Sequence, residues 1–230
     1  LRLRDDDPDL RAKILAAESF RVSYVGMDFT LDGFAVQATG DGAKFTAAVN
    51  VVREVSKRPL ILIASDAAVA GAGLQTLSSE TALVHGANAA NWEGMAAVAK
   101  SHNAALTVSA SSLDELADLT DKVKSKGVED IVLLPEANSM GASLAFGTQI
   151  RRLAIKKNFR TLGYPTILFT GDGDIARENI MAAQAIAKYT GFVVIDHFTP
   201  ATVYPLLVLR QNIYTDPQKP IQVQPGIYEI

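Results

Sequence analysis

Short apolar runs alternate with longer amphipathic stretches along the whole chain, and this repeat constrains the fold more than any other feature. Strands are expected at 1–4, 21–29, 60–65, 82–86, 105–110, 130–135, 166–170 and 192–198. Helices are expected near 9–19, 42–57, 67–79, 89–102, 112–126, 141–158, 174–190 and 200–214. The run Leu-Ile-Leu-Ile-Ala-Ser at 60–65 is apolar on both faces, as a strand covered on both sides of a parallel sheet must be. Eight such βα units predict an α/β fold, a single (β/α)8 barrel over 1–214. At 230 residues it is a lean one, since such barrels typically need about 250. A doubly wound open parallel sheet is the alternative, because alternation does not show whether a sheet closes.

The stretch from Ser112 carries the fullest local code. Ser112 and Glu115 fit a capping box, in which each side chain satisfies an exposed backbone N–H. Leu113, Leu116, Leu119 and Val123 form one apolar stripe. Lys122, Lys124 and Lys126 oppose the dipole at the far end, and Gly127 suits a left-handed stop.

Composition removes several function classes. The net charge of −3 argues against a general nucleic-acid surface, which needs a basic excess. The chain has no cysteine, so its residues offer no disulfide, thiolate metal site or cysteine-held iron–sulfur cluster. No apolar run is long enough to suggest a membrane span, and the acidic start does not read as a secretory signal, so a soluble cytoplasmic protein is expected. There is no glycine-rich dinucleotide or phosphate loop and no lysine at a strand end. The Gly40-Asp-Gly42 and Gly171-Asp-Gly173 words read as turns.

In a barrel, chemistry sits where strands end and helices begin. Those positions hold Asp28, Ser65, Asp66, His85, Asn88, Ser109, Ser111, Glu136, Asn138, Thr170, Asp172, Asp196 and His197. His85 and His197 with Asp196 have the ligand chemistry for zinc or iron, although no His-x-His or His-Glu-x-x-His word accompanies them. The ordinary reading is polar loop residues. Asp66, Asn88 and Ser111 precede helices, where such side chains cap. Glu136 and Asp196 are a candidate acid/base pair. Trp92 with Asn88 and Asn91 is suited to a flat heterocycle, against a plain role in helix packing. Arg151, Arg152, Lys156, Lys157 and Arg160 form a basic cluster, read either as a solvated helix end or as a docking surface for an acidic partner.

The final stretch is the most individual. Asn212, Tyr214, Thr215 and Asp216 crowd the end of the last helix, and Pro217, Pro220 and Pro225 then predict an extended exit over 215–230, leading toward a further domain. The words Leu209-Arg-Gln-Asn-Ile-Tyr-Thr-Asp-Pro217 and Pro225-Gly-Ile-Tyr-Glu-Ile230 closely resemble the large (gamma) subunit of the corrinoid iron–sulfur proteins of the acetyl-CoA decarbonylase/synthase system. Thr148-Gln-Ile-Arg-Arg152, Leu162-Gly-Tyr-Pro-Thr-Ile167 and Ile186-Ala-Lys-Tyr189 carry the resemblance upstream. It implies the central barrel of a methyl carrier whose corrinoid and four-iron cluster are held by flanking domains, not by this chain. It also implies three partners: a small barrel subunit, a pterin methyltransferase and acetyl-CoA synthase. No catalytic residue and no metal ligand is assigned; Asn88, Trp92, Asp196, Asn212, Tyr214, Thr215 and Asp216 are the mouth or interface candidates. A stand-alone pterin-binding barrel enzyme is the alternative, with Asp66, Asn88, Asp172 and Asp196 as its polar contacts.

Overall fold

The computed structural model describes residues 1–77, 80–171 and 173–214. Six parallel strands form a continuous sheet in the order β1 (Arg2–Arg4), β4 (Phe34–Gln37), β5 (Leu60–Ile63), β6 (Leu83–Ala87), β7 (Ala105–Ala110) and β8 (Ile131–Pro135). Two short strands, β9 (Ile167–Phe169) and β10 (Phe192–Val194), pair with each other. Single links join this pair to both edges of the sheet. Leu133 N–H donates to Pro165 O at 2.8 Å, and Arg2 N–H to Ile195 O at 2.8 Å. The sheet is therefore closed, and the expected barrel stands over the open-sheet alternative.

Helices follow the strands as expected: α1 (Leu10–Ser19), α2 (Gly42–Val55), α3 (Ala67–Gln75), α4 (Trp92–Ser101), α5 (Leu113–Ser125), α6 (Met140–Lys156), α7 (Ile175–Ala187) and α8 (Pro200–Tyr214). Two apolar layers hold them. The larger lies between strands and helices and includes Phe34, Phe45, Leu62, Met95, Leu106 and Leu116. The smaller fills the barrel with Ala35, Leu83, Val132, Ile167 and Val194. The Ser112 hydroxyl accepts from Glu115 N–H at 3.2 Å, but the Glu115 carboxylate takes the Ser111 hydroxyl instead of closing the box. Gly127 adopts the left-handed stop, with φ of +88°.

One barrel strand is not where the sequence pattern puts it. Residues 21–29 are not the second barrel strand but an antiparallel hairpin, β2 (Val22–Tyr24) against β3 (Met27–Phe29). Val25 and Gly26 both have positive φ, 51° and 76°, the signature of a two-residue turn that reverses the chain. The hairpin sits at the end of the barrel where helices return to strands, its Tyr24 ring set edge-on to Tyr204 of α8. The true second strand is the following run, Phe34–Gln37, paired to β1 and β5.

Candidate functional site

The strands' C-terminal ends carry one concentrated polar cluster, built on the closing elements β9, β10, α7 and β1. Glu178, in the first turn of α7, is 3% exposed. Its Oε1 accepts from the backbone N–H groups of Asp196 and His197 and lies 3.0 Å from the Thr170 hydroxyl. Its Oε2 accepts from His197 Nδ1 at 2.6 Å. A carboxylate taken out of water needs this many donors. The result fixes the imidazole, leaving Nε2 toward the half-exposed side. Asp196 turns into the barrel and meets Arg2 of β1 at 2.5 Å. Burial pushes the Asp196 carboxyl up, against the opposing pull of Arg2.

Deeper in the barrel, His85 of β6 packs its ring 4.5 Å from Phe169. Burial, helped by the nearby Arg2 charge, lowers its pKa to about 4, so the imidazole is neutral at pH 7. A bulge sets its aim. The register of β6 on β7 shifts between His85 and Ala87, across Gly86 at φ +144°. A Cβ at Gly86 would lie 2.1 Å from Ala64 O, so only glycine lets β5 and β6 come this close. Among the described residues, His85 Nδ1, Thr107 Oγ1 and Asp196 Oδ1 are buried without a hydrogen-bond partner. His85 and Thr107 are cross-strand neighbours.

A cavity of about 580 Å³ opens above this cluster, walled by Arg2, Arg4, Gln37, Asp196, His197 and Phe198 among others. Its charges are matched locally: Arg2 by Asp196, Arg4 by Asp6 at 2.9 Å, and Lys13 by Asp7 at 2.5 Å. The mouth can hydrogen-bond a ligand but offers little net field for a phosphate. His197 is held as a general base would be, and among the described residues its hydrogen bonds run to Glu178. A second cavity, of about 490 Å³ at the opposite end, has apolar walls that include Val203, Leu206 and Leu207.

Most of the other predicted site residues make local structural contacts. Asp66 caps α3 through Ala68 and Val69 N–H. Asn88 closes a turn onto Ala90, and Asn91 Nδ2 braces the carbonyls of Ser65 and Gly86. Trp92 packs on the outer core under Lys126. Asp28 lies exposed on the hairpin, away from the mouth. Asp196 is bonded to Arg2, and no bond joins it to Glu136. Among the described residues no group of three His, Asp or Glu side chains is placed to hold a metal ion. Asn212 is exposed near the end of α8, where Arg210 pairs with Asp32. Asp172, Thr215, Asp216 and the exit segment lie outside the described residues, as does the Tyr214 side chain.

Glu178, Arg2 and Thr107 had no place among the sequence candidates. Glu178 reads as an acid suited to a helix start. Its one signal is that it continues the buried stripe of Ala182, Ala185 and Ile186.

The closed barrel resembles solved dihydropteroate synthases. The enzyme from Thermus thermophilus superposes with a TM-score of 0.63 at 17% identity, over 90% of each chain. That from Yersinia pestis gives 0.62 at 13% identity, over 90% of this chain and 89% of the other. At such identities the likeness speaks for the fold alone. Residues 5–230 match the model of the CO dehydrogenase/acetyl-CoA synthase delta subunit family. The chain belongs to that family. It is 38% identical to the corrinoid/iron-sulfur protein large subunit of Moorella thermoacetica, over 96% of this chain and 50% of the relative. It is 34% identical to the acetyl-CoA decarbonylase/synthase complex subunit gamma of Archaeoglobus fulgidus, over 98% and 51%. The chain thus spans about half the length of the curated relatives it matches, and these are the large and gamma subunits that the tail words resemble. With no cysteine, the chain has no thiolate for an iron–sulfur cluster.

Proposed function

We propose that this barrel is the scaffold and interface domain of a corrinoid iron–sulfur protein large subunit. The subunit would carry a methyl group on cobalt from a pterin methyltransferase to acetyl-CoA synthase. Its partners would be those two enzymes and a small barrel subunit. The observation that carries the reading is the match to the Moorella large subunit over 96% of the chain. The internally paired mouth supports it, because a cavity whose cations are already matched suits support rather than turnover. Residues 215–230 would be the lead into a corrinoid-binding domain. The test is intact mass and visible absorption of the native protein from its source. Corrinoid bands with a broad iron–sulfur shoulder, in a protein well above 24.5 kDa, are expected. A colourless protein of 24.5 kDa would overturn the reading.

One observation favours a second role. Asp196, which lines the mouth, has an Oδ1 with no partner among the described residues, an acceptor for a flat heterocycle such as a pterin. Saturable binding of a tetrahydropterin by the colourless protein, weakened by Asp196→Asn, would support it. Heat-silent titration would remove it.

A further inference from the structure

Residues 137–171 contain Arg151, Arg152, Lys156, Lys157 and Arg160 and no Asp or Glu, in a chain whose net charge is −3. A chain that is acidic overall therefore has a local basic excess, at the end of α6 and in the loop after it. None of these five cations is ion-paired with a carboxylate among the described residues. Arg151 instead lies 3.8 Å over the Tyr189 ring, which fixes the edge of the cluster.

The helix beneath is unusual for a barrel. Of the 17 residues of α6 only Ile150 is buried. Its outer side carries apolar groups among the cations. Ile155 is 66% exposed, one turn beyond Arg151 and flanked by Lys156, and Phe159 is 41% exposed, just before Arg160. An isolated outward leucine or isoleucine needs no explanation. An exposed isoleucine and phenylalanine interspersed in the chain with five cations that have no carboxylate partner among the described residues have the composition of a protein interface, apolar groups with a charged rim.

We propose that the C-terminal half of α6 and the loop to Arg160 form a docking face for an acidic protein surface. Ile155 and Phe159 are its anchors, and the cations steer and orient the partner. The face reads protein rather than nucleic acid because Ile155 gains nothing from a phosphate backbone, and phosphate binding alone would leave it in water. The proposal names a face for the interface role above but does not depend on the corrinoid assignment.

A carbodiimide, which joins an amine to a carboxylate only where they touch, tests it on the assembled complex containing the full-length subunit. The expected product is an amide between Lys156 or Lys157 and an Asp or Glu of another polypeptide, suppressed by high salt. A variant carrying Arg152→Glu, Lys156→Glu and Lys157→Glu should lose that link and weaken association at least about tenfold, with its thermal midpoint kept. Ile155→Ala should weaken it without changing the salt dependence. The proposal is overturned if these lysines link only within their own chain, or if the triple variant assembles like the parent. It is equally overturned if the triple variant loses only retention on a single-stranded oligonucleotide. A corrinoid spectrum with no such link removes the face and leaves the scaffold. The link without a corrinoid does the reverse.

Discussion

The α5 flank and the closing elements from α6 to β10 are neighbours on one barrel, yet they are held by different physics. α5 buries Leu116, Ala117, Leu119, Thr120 and Val123 against β7 and β8, whose register runs unbroken over five pairs. Beyond it, α6 buries one residue, β9 and β10 have three residues each, and α7 buries a glutamate in its first turn. Polar ties from Glu178 to Thr170, Asp196 and His197, and from Asp196 to Arg2, do there what apolar area does on the other flank. Apolar burial is insensitive to pH and forgiving in direction. A buried carboxylate demands every donor in place, so it specifies closure geometry more than it adds stability. The α5 flank thus reads as foundation, and the closing quarter carries the proposed docking face.

The difference can be broken at several points. The largest effect is expected from Leu116→Ala, which empties a fully buried site on the α5 flank and should cost about 4 kcal/mol in denaturant unfolding. A loss under about 1 kcal/mol there would dissolve the contrast. Acid should come next, through the imidazole in the polar interior. His85 has a folded pKa of about 4 against an ordinary value of 6.5, so the unfolded chain binds the extra proton between these values. The His85 contribution is therefore constant above about pH 6.5 and is lost as pH drops, by about 3 kcal/mol at pH 4. Subtracting the pH profile of His85→Gln from that of the parent isolates this slope; parallel profiles would sink the assignment.

Glu178→Gln keeps shape but exchanges a charged acceptor for an amide, and a loss of about 2 kcal/mol is expected. The His197 ring, observed by NMR, should lose its single orientation in the same variant. Ser112→Ala removes the α5 cap, at about 1 kcal/mol. Smallest of all, Ile155→Ala on α6 should change monomer stability by less than about 0.5 kcal/mol. A larger loss would make that side chain part of the core and not of a contact surface.

Legibility follows the same divide. The α5 stripe, its cap and its glycine stop are all local, and each is visible in consecutive residues. The same holds for the capping role of Asp66 and for the turn role of the Gly40-Asp-Gly42 word, where Asp41 caps α2. The hairpin at 22–29 was readable in principle from the Val25-Gly26 pair, but an apolar run with strand propensity does not say which sheet it joins. Phe34–Gln37 was hidden because four residues carry almost no periodicity. Glu178 was hidden for a stronger reason: its donors come from residues eight to nineteen positions away, brought together only by closure.

By itself the sequence determined the βα repeat, the eight helices, the absence of thiolate ligands and, through its last words, the family. Those are properties of neighbouring side chains and of composition, which no folding can alter. The tertiary structure decided which runs became barrel strands, that the sheet closes through single bonds at Pro165 and Ile195, and that Arg2, Glu178, Asp196 and His197 share one mouth. Their meeting depends on contacts between residues as far apart as 2 and 196, and the energies that set those contacts exist only once the barrel has excluded water.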